Sequence, residues 1–188
     1  MSYSTDPRAA RSREAMLLAA QELLTREGPA AVTHQRVAQQ AGVGRATVYR
    51  HWPRSEQLLL DVMSGADLPH FKDPAPPVRS WLHRELRNLA GELELPVVAA
   101  AALALTQSAI GDPEIARRLD ESVKTVAERI DAAVQVAVAA GELTPAAGSA
   151  DLPALLLGPI VYRTTQQRGV VSDDLLNALL DSIGTWTS

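Results

Sequence analysis

Thr33-His-Gln-Arg-Val-Ala-Gln-Gln-Ala-Gly-Val-Gly-Arg-Ala-Thr-Val-Tyr-Arg-His-Trp52 is the stretch that decides how this chain folds. It reads as two short helices broken at Ala41-Gly42-Val43. Thr33 caps the first by accepting a bond from an unpaired N–H of its opening turn. Val37, Ala38 and Ala41 make a narrow apolar stripe. Gly42 then takes the left-handed turn that ends a helix at no steric cost. The second helix is expected over Gly44–His51, with Val48 and Trp52 turned inward and Pro53 stopping it for want of a backbone donor.

This spacing is that of a helix-turn-helix, whose second helix enters the major groove of duplex DNA by its N-terminal part. Gly44, Arg45, Ala46, Thr47, Tyr49, Arg50 and His51 stay on its outer face. Arg45 can donate bidentately to guanine O6 and N7. Gly44 and Ala46 are small enough to let the backbone approach the bases. Thr47, Tyr49 and His51 offer donors to phosphate oxygens, contacts that position a protein without reading sequence. Taken singly, each residue has a plainer reading. A lone arginine on a short helix is usually a solvated charge, and a lone histidine usually packs. A phosphate-binding glycine loop over 42–47 fails because no strand precedes it and position 47 is not glycine.

Residues 13–63, above all Ala38, Ala41-Gly42-Val43, Thr47, Tyr49 and His51, resemble the N-terminal domain of the TetR family of one-component regulators. The resemblance implies phosphate contacts at Thr33, Thr47, Tyr49 and His51, joined by Arg50, and base contacts at Gly44, Arg45 and Ala46. The lysine usual in that family near the next helix is replaced by Ser55, preceded by Arg54, and either can meet a phosphate. Trp52 stands where the family has phenylalanine and belongs to the core.

The 188 residues suffice for a substantial core. Without cysteine there is no disulfide and no thiolate metal site, which suits a reducing cytoplasm. No N-terminal apolar run resembles a signal peptide, and no uncharged stretch reaches the roughly 20 residues that span a bilayer. The net charge of −4 is unevenly spread. Residues 8–54 carry eight arginines and three acids, whereas residues 64–188 carry ten basic and sixteen acidic side chains. Attraction to phosphate is local, so the basic end is expected to face DNA.

Helical periodicity runs through nearly the whole chain, and an all-α fold of about nine helices is expected, with no strand. Residues 1–10 read as a flexible arm. Residues 11–63 form the helix-turn-helix domain, with a first helix over Arg11–Glu27 and a linking helix from Ser55. A proline-rich loop covers 64–77, marked by Pro69, Pro74, Pro76 and Pro77. Residues 78–188 form an effector-binding and dimerisation domain. There Val78, Trp81, Leu82, Leu86, Leu89 and Leu93 make one stripe. Val97–Ile110 is apolar all round, as in a buried helix. A long helix from Pro113 turns Ile115, Leu119, Val123, Val126, Ile130, Ala133, Val134 and Ala137 to one side. Gly158-Pro159 should kink or loosen the helix opened by Pro153, and Ser172 caps a last one.

The stretch from Gly141 through Leu155–Arg163 to Leu180 also resembles TetR-family effector domains. That resemblance implies a dimer interface on the last two helices, at Leu155, Leu156, Ile160, Leu175, Leu176, Leu179, Leu180 and Ile183. It further implies a small, mainly apolar effector among the middle helices, with Trp81, Leu82, Leu86, Leu103, Thr106, Gln107, Val126 and Tyr162 as candidate walls, and Arg84 or Arg163 for an acidic group. Most of these can equally be core. Thr106 and Gln107 stand out because polar groups in an apolar helix need partners.

An enzyme is the weakest reading: the four histidines lack metal-ligand spacing, no nucleophile elbow occurs, and Asp173-Asp174 reads as first-turn acids at a helix N-terminus. A helical interaction module using only its dimer interface is the other alternative. The expected protein is a cytoplasmic dimeric repressor of double-stranded DNA, released from a pseudo-palindromic operator by a small molecule, with no cofactor, metal or membrane partner.

Overall fold

The computed structural model describes residues 7–64, 70–146 and 151–187. Among them nine α-helices follow one another: α1 Pro7–Glu27, α2 His34–Ala41, α3 Arg45–His51, α4 Ser55–Ser64, α5 Val78–Leu93, α6 Pro96–Gly111, α7 Pro113–Ala139, α8 Leu152–Val161 and α9 Asp173–Ser182. Two short strands, β1 Leu143–Pro145 and β2 Gly184–Trp186, complete the order. By its contacts the chain divides into two units. Met1–Asp67 with Ala100–Leu119 makes one, and Leu68–Ala99 with Asp120–Ser188 the other. Ala100–Leu119 joins the first because Asp112 and Arg118 pair there with Arg54 and Asp61.

In the first unit, α1 buries Met16, Ala19, Ala20, Leu23 and Leu24 against α2 and α4. Leu58, Leu59 and Leu60 of α4 are all buried, so this helix is enclosed on more than one side. Thr33 caps α2 through its hydroxyl, 3.3 Å from the Arg36 amide nitrogen. Gly42 ends α2 at φ +67°, the left-handed geometry that any Cβ would strain. α1 starts at Pro7, four residues ahead of the expected Arg11. Positions 7–10 of the expected arm are therefore helical, while 1–6 lie outside the described residues. Of the expected proline markers, Pro69 also lies outside them.

The second unit has one continuous core. Val78, Trp81, Leu82 and Leu86 of α5 meet Ile130, Ala133, Val134 and Ala137 of α7, together with Leu156 and Ile160 of α8 and Leu176 and Leu180 of α9. Phe71 closes it, edge-on to Trp81 with ring centroids 6.4 Å apart. Carboxylates pin the surrounding backbone: Glu142 accepts from the Val78 N–H at the start of α5, and Glu94 from the Val171 N–H before α9. Pro159 withholds an amide donor within α8, and the helix passes at Tyr162–Gln166 into a wider π-turn. The expected loosening thus falls one turn after Gly158-Pro159. Ser172 caps α9 as expected, 3.2 Å from the Leu175 nitrogen.

Three expectations need correction. The first concerns strands, of which none was foreseen. β1 and β2 pair antiparallel in the register Leu143↔Trp186, Thr144↔Thr185, Pro145↔Gly184. Three residues are too few to display alternation. What fixes the pair is Gly184, where a Cβ would lie 2.4 Å from the Thr144 carbonyl oxygen.

The second concerns α6, which is not a buried helix. Only Ala101 and Leu105 are fully covered, and Ile110 is 80 % exposed. Uniform apolarity shows that a helix can be buried but not which faces find neighbours. The third concerns the stripe on α7, which breaks at Val123, 61 % exposed. Val123 lies between Ile115, in the first unit, and Ile130, in the second, so the stripe is shared between two cores.

Candidate nucleic-acid interface

Seven residues make α3, and within them only Val48 is buried. Gly44 precedes the helix in extended geometry as its N-cap, so the helix begins one residue later than expected. Gly44, Arg45, Ala46, Tyr49, Arg50 and His51 are exposed, and Thr47 is half-buried. The residues read as base-contacting thus sit together at the open N-terminal end of the helix. Those read as phosphate-contacting continue along its outer side.

Arg45 reaches back along the helix to Tyr49. Its Nη2 donates to the Tyr49 hydroxyl at 2.9 Å, and its guanidinium lies 5.2 Å from the ring centroid. Arg50 donates one turn back to the Thr47 hydroxyl at 3.3 Å. Thr33 lies at the start of α2, with its hydroxyl engaged in the cap. Ser55, half-buried, donates to the Glu56 carboxylate at 3.3 Å.

At least three of the eight arginines counted in the basic segment are held by carboxylates. Arg36 grips Glu27 through both guanidinium nitrogens at 2.7 and 2.6 Å. These charge-assisted bonds hold the Glu27 carboxyl below its ordinary pKa and raise that of Arg36. Arg13 meets Asp61 at 2.5 Å. Arg54 meets Asp112 at 2.9 Å while Asp112 caps α7 through the Glu114 nitrogen. The excess of positive charge counted along the sequence is therefore smaller at the surface than the tally suggests. Arg45 and Arg50 carry it on α3. Arg54, expected as one substitute for the family's lysine, keeps a side chain 54 % exposed beside Asp112.

A group of residues beneath α3 was not anticipated. The Trp52 indole N–H donates to Asp61 at 2.8 Å, while the Trp52 carbonyl accepts from His34 Nε2 at 2.6 Å. His34, on α2, is buried and stacks on Tyr49. Arg13 lies over the Trp52 ring at 5.2 Å, and Arg118 from α7 donates to the second Asp61 oxygen. A buried indole N–H requires an acceptor. That requirement was the one signal in the sequence, but it does not say which carboxylate answers it.

The expected effector-site residues are divided between the two units. Trp81, Leu82 and Leu86 are buried in the core of the second, and Val126 packs against it. Tyr162 is 58 % exposed. Leu103, Thr106 and Gln107 belong to the first unit and are exposed. Thr106 satisfies its hydroxyl within the helix, on the Ala102 carbonyl at 2.9 Å. The polarity of Thr106 thus needs no ligand to explain it.

Among the expected interface residues, Leu156, Ile160, Leu176, Leu179, Leu180 and Ile183 are buried in the chain's own core, so they have no surface to offer a partner. Leu175 is half-buried, and Leu155 is exposed. The face that α8 and its π-turn leave open carries Ala154, Leu155, Gly158, Val161 and Tyr162. Of the eight residues that the resemblance put at an interface, Leu155 is thus the one that lies open on α8.

An all-α fold with a helix-turn-helix whose second helix exposes a small-basic-small opening defines a DNA-binding regulator. Family models place it more closely. Residues 16–62 match the model described as bacterial regulatory proteins, tetR family, and residues 77–183 match the tetracyclin repressor-like C-terminal domain. Relatives described as uncharacterized HTH-type transcriptional regulators of Mycobacterium tuberculosis and Mycobacterium bovis are 31 % identical, over 95 % of this chain and 89 % of theirs. The chain belongs to the TetR family of DNA-binding transcriptional regulators.

Solved structures agree in fold. The TetR-family regulator SCO0332 is 25 % identical and superposes with a TM-score of 0.72 over 93 % of this chain and all of its own. Salmonella enterica GusR, 19 % identical, gives 0.68 over 97 % and 99 % of the two chains. A regulator from Saccharomonospora viridis, solved with choline, is 20 % identical and gives 0.60 over 92 % and 95 %. No single helix among the described residues is long and apolar enough to cross a membrane.

Proposed function

We propose that the protein is a homodimeric, cytoplasmic repressor, not an enzyme, that leaves a pseudo-palindromic operator when it binds a small, mainly apolar molecule. The observation that carries the DNA-reading part is the exposed Gly44-Arg45-Ala46 opening of α3, seated on buried Val48 and Trp52. Gly44, Arg45 and Ala46 read base edges. Thr47, Tyr49, Arg50 and His51, with Thr33 and Ser55, hold phosphates. Arg54, its side chain half exposed beside Asp112, joins them at a phosphate.

Two-fold dimers read two half-sites related by the same symmetry. The dimer contact is assigned to the open face of α8, Leu155, Gly158, Val161 and Tyr162, with Gly158 letting a second helix come close. Leu155, Val161 and Tyr162 are each at least 43 % exposed and follow one another along one face, and it is a contiguous apolar patch, not a single exposed side chain, that marks an interaction surface. Support for a small-molecule effector comes from the Saccharomonospora viridis regulator of the same fold solved with choline. Selection of bound duplexes from a random pool tests the reading: a two-fold symmetric consensus is expected, and an asymmetric one or none contradicts it.

A further inference from the structure

We propose that Asp61 is a positioning residue for sequence readout, acting through the indole of Trp52 to hold α3 in its reading orientation. The inference rests on the assignment of α3 as the base-reading helix.

A helix of seven residues with Val48 as its single buried side chain has little of its own to fix its rotation. Trp52, immediately after it, is the second anchor. Its ring is 2 % exposed, and its only polar atom, Nε1, donates to Asp61 Oδ2 at 2.8 Å. A carboxylate acceptor makes this bond stronger than a neutral one.

From Trp52 the constraint reaches the reading face by direct contacts. The Trp52 carbonyl accepts from His34 Nε2 at 2.6 Å. The opposite contact of the ring is the face of Tyr49, and the Tyr49 hydroxyl accepts from Arg45. Asp61 itself stands on α4, with its other oxygen held by Arg118 of α7. The acceptor is thus fixed from outside the helix-turn-helix. Hydrogen bonds to base edges weaken steeply with misalignment, whereas attraction to phosphate tolerates it. Losing the Trp52–Asp61 bond should therefore cost discrimination more than affinity.

The test uses the full-length protein and the duplex it selects from a random pool, with a shuffled duplex of equal composition as reference. The readout is the ratio of the two affinities for the wild type, Trp52→Phe, Asp61→Leu, their double variant and Asp61→Asn. Removing donor or acceptor should lower the ratio roughly tenfold, the scale of one buried hydrogen bond left unmade. Binding of Trp52→Phe to the shuffled duplex should stay unchanged; the Asp61 variants also release Arg13 and Arg118, a gain in phosphate attraction common to both duplexes that cancels in the ratio. The double variant should lose no more than Asp61→Leu alone, since that variant already removes the indole bond along with the pairs to Arg13 and Arg118. Asp61→Asn keeps an acceptor and should keep the ratio within about twofold.

Thermal melting accompanies each variant. Should Asp61→Leu not fold, Trp52→Phe and Asp61→Asn carry the test, phenylalanine being the usual residue of the family at that place. Single variants with the wild-type ratio, additive losses in the double variant, or an Asp61→Asn as impaired as Trp52→Phe would each overturn the inference. A wild type that selects no duplex overturns the DNA-reading assignment as well. A wild type that selects one, beside variants that discriminate as well as it does, overturns only the role of Asp61.

Discussion

The imidazole of His34 lies flat on the phenol of Tyr49, with ring centroids 3.9 Å apart and planes 6° from parallel. One ring belongs to α2 and the other to α3, so the two helices of the motif are joined by a stack as well as by the turn at Gly42. The same histidine donates to the Trp52 carbonyl. Replacing His34 by alanine removes both contacts and leaves a carbonyl without its donor. A loss of about 1–3 kcal/mol is expected, read from urea denaturation. An unchanged midpoint would show that neither contact bears on stability.

Tyr49→Phe has a sharper outcome than a simple loss of one phosphate contact. The hydroxyl it removes accepts from Arg45, so the variant frees the arginine as it discards a donor to DNA. Binding to all duplexes should weaken together, by about 0.5–1.5 kcal/mol for one hydrogen bond. Competition against shuffled DNA reads this. A loss confined to the selected duplex would move Tyr49 into base reading.

The open face of α8 and the core behind it should respond differently to substitution. Leu155→Glu places a charge on a surface where a partner is proposed and should yield a folded monomer. Leu176→Ala opens a cavity in a fully buried site and should cost about 2–5 kcal/mol of stability. Analytical ultracentrifugation and thermal melting separate the two. A monomeric wild type, or a dimeric Leu155→Glu, would contradict the assigned face.

Gly184→Ala should destabilise the chain by about 1–3 kcal/mol, because the added methyl meets the Thr144 carbonyl across the strand pair. Denaturant titration checks this. An alanine accepted without cost would mean that the two strands can separate freely.

Acid should weaken the tie between α1 and α2. Glu27 has its pKa lowered in the fold by Arg36, so the stability it lends is present above its unfolded pKa and is lost as pH falls through the lowered value. The pair is solvent-exposed and its contribution is small. Comparing melting temperatures at pH 6 and pH 3, Glu27→Gln should show a shallower acid decline than wild type. Equal declines would remove the pair from the acid response.

The local features of this fold could be read from the sequence because their causes are local. Thr33 caps, Gly42 turns left-handed, Val48 and Trp52 face inward and Ser172 caps, all by rules that span a few residues. What could not be read depends on which surfaces meet. The same helical period describes the buried and the open sides of α8, so period alone does not say that Leu156 and Ile160 face the chain's own core while Leu155 lies open. The apolar composition of α6 gave no direction at all. At the reading face, Arg45 and its neighbours were legible from their positions, but the support under them was not. Asp61 and Arg118 lie 57 positions apart, and nothing in either neighbourhood names the other.

The most direct test of the account is the selection of duplexes from a random pool by the wild-type protein, repeated with Arg45→Ala. The wild type should enrich a two-fold symmetric sequence, bound more weakly as salt rises. Arg45→Ala should lose roughly 1–3 kcal/mol of preference at one position of each half-site. An Arg45→Ala protein that enriches the same sequence as strongly as the wild type, or a wild type that enriches none, would contradict it.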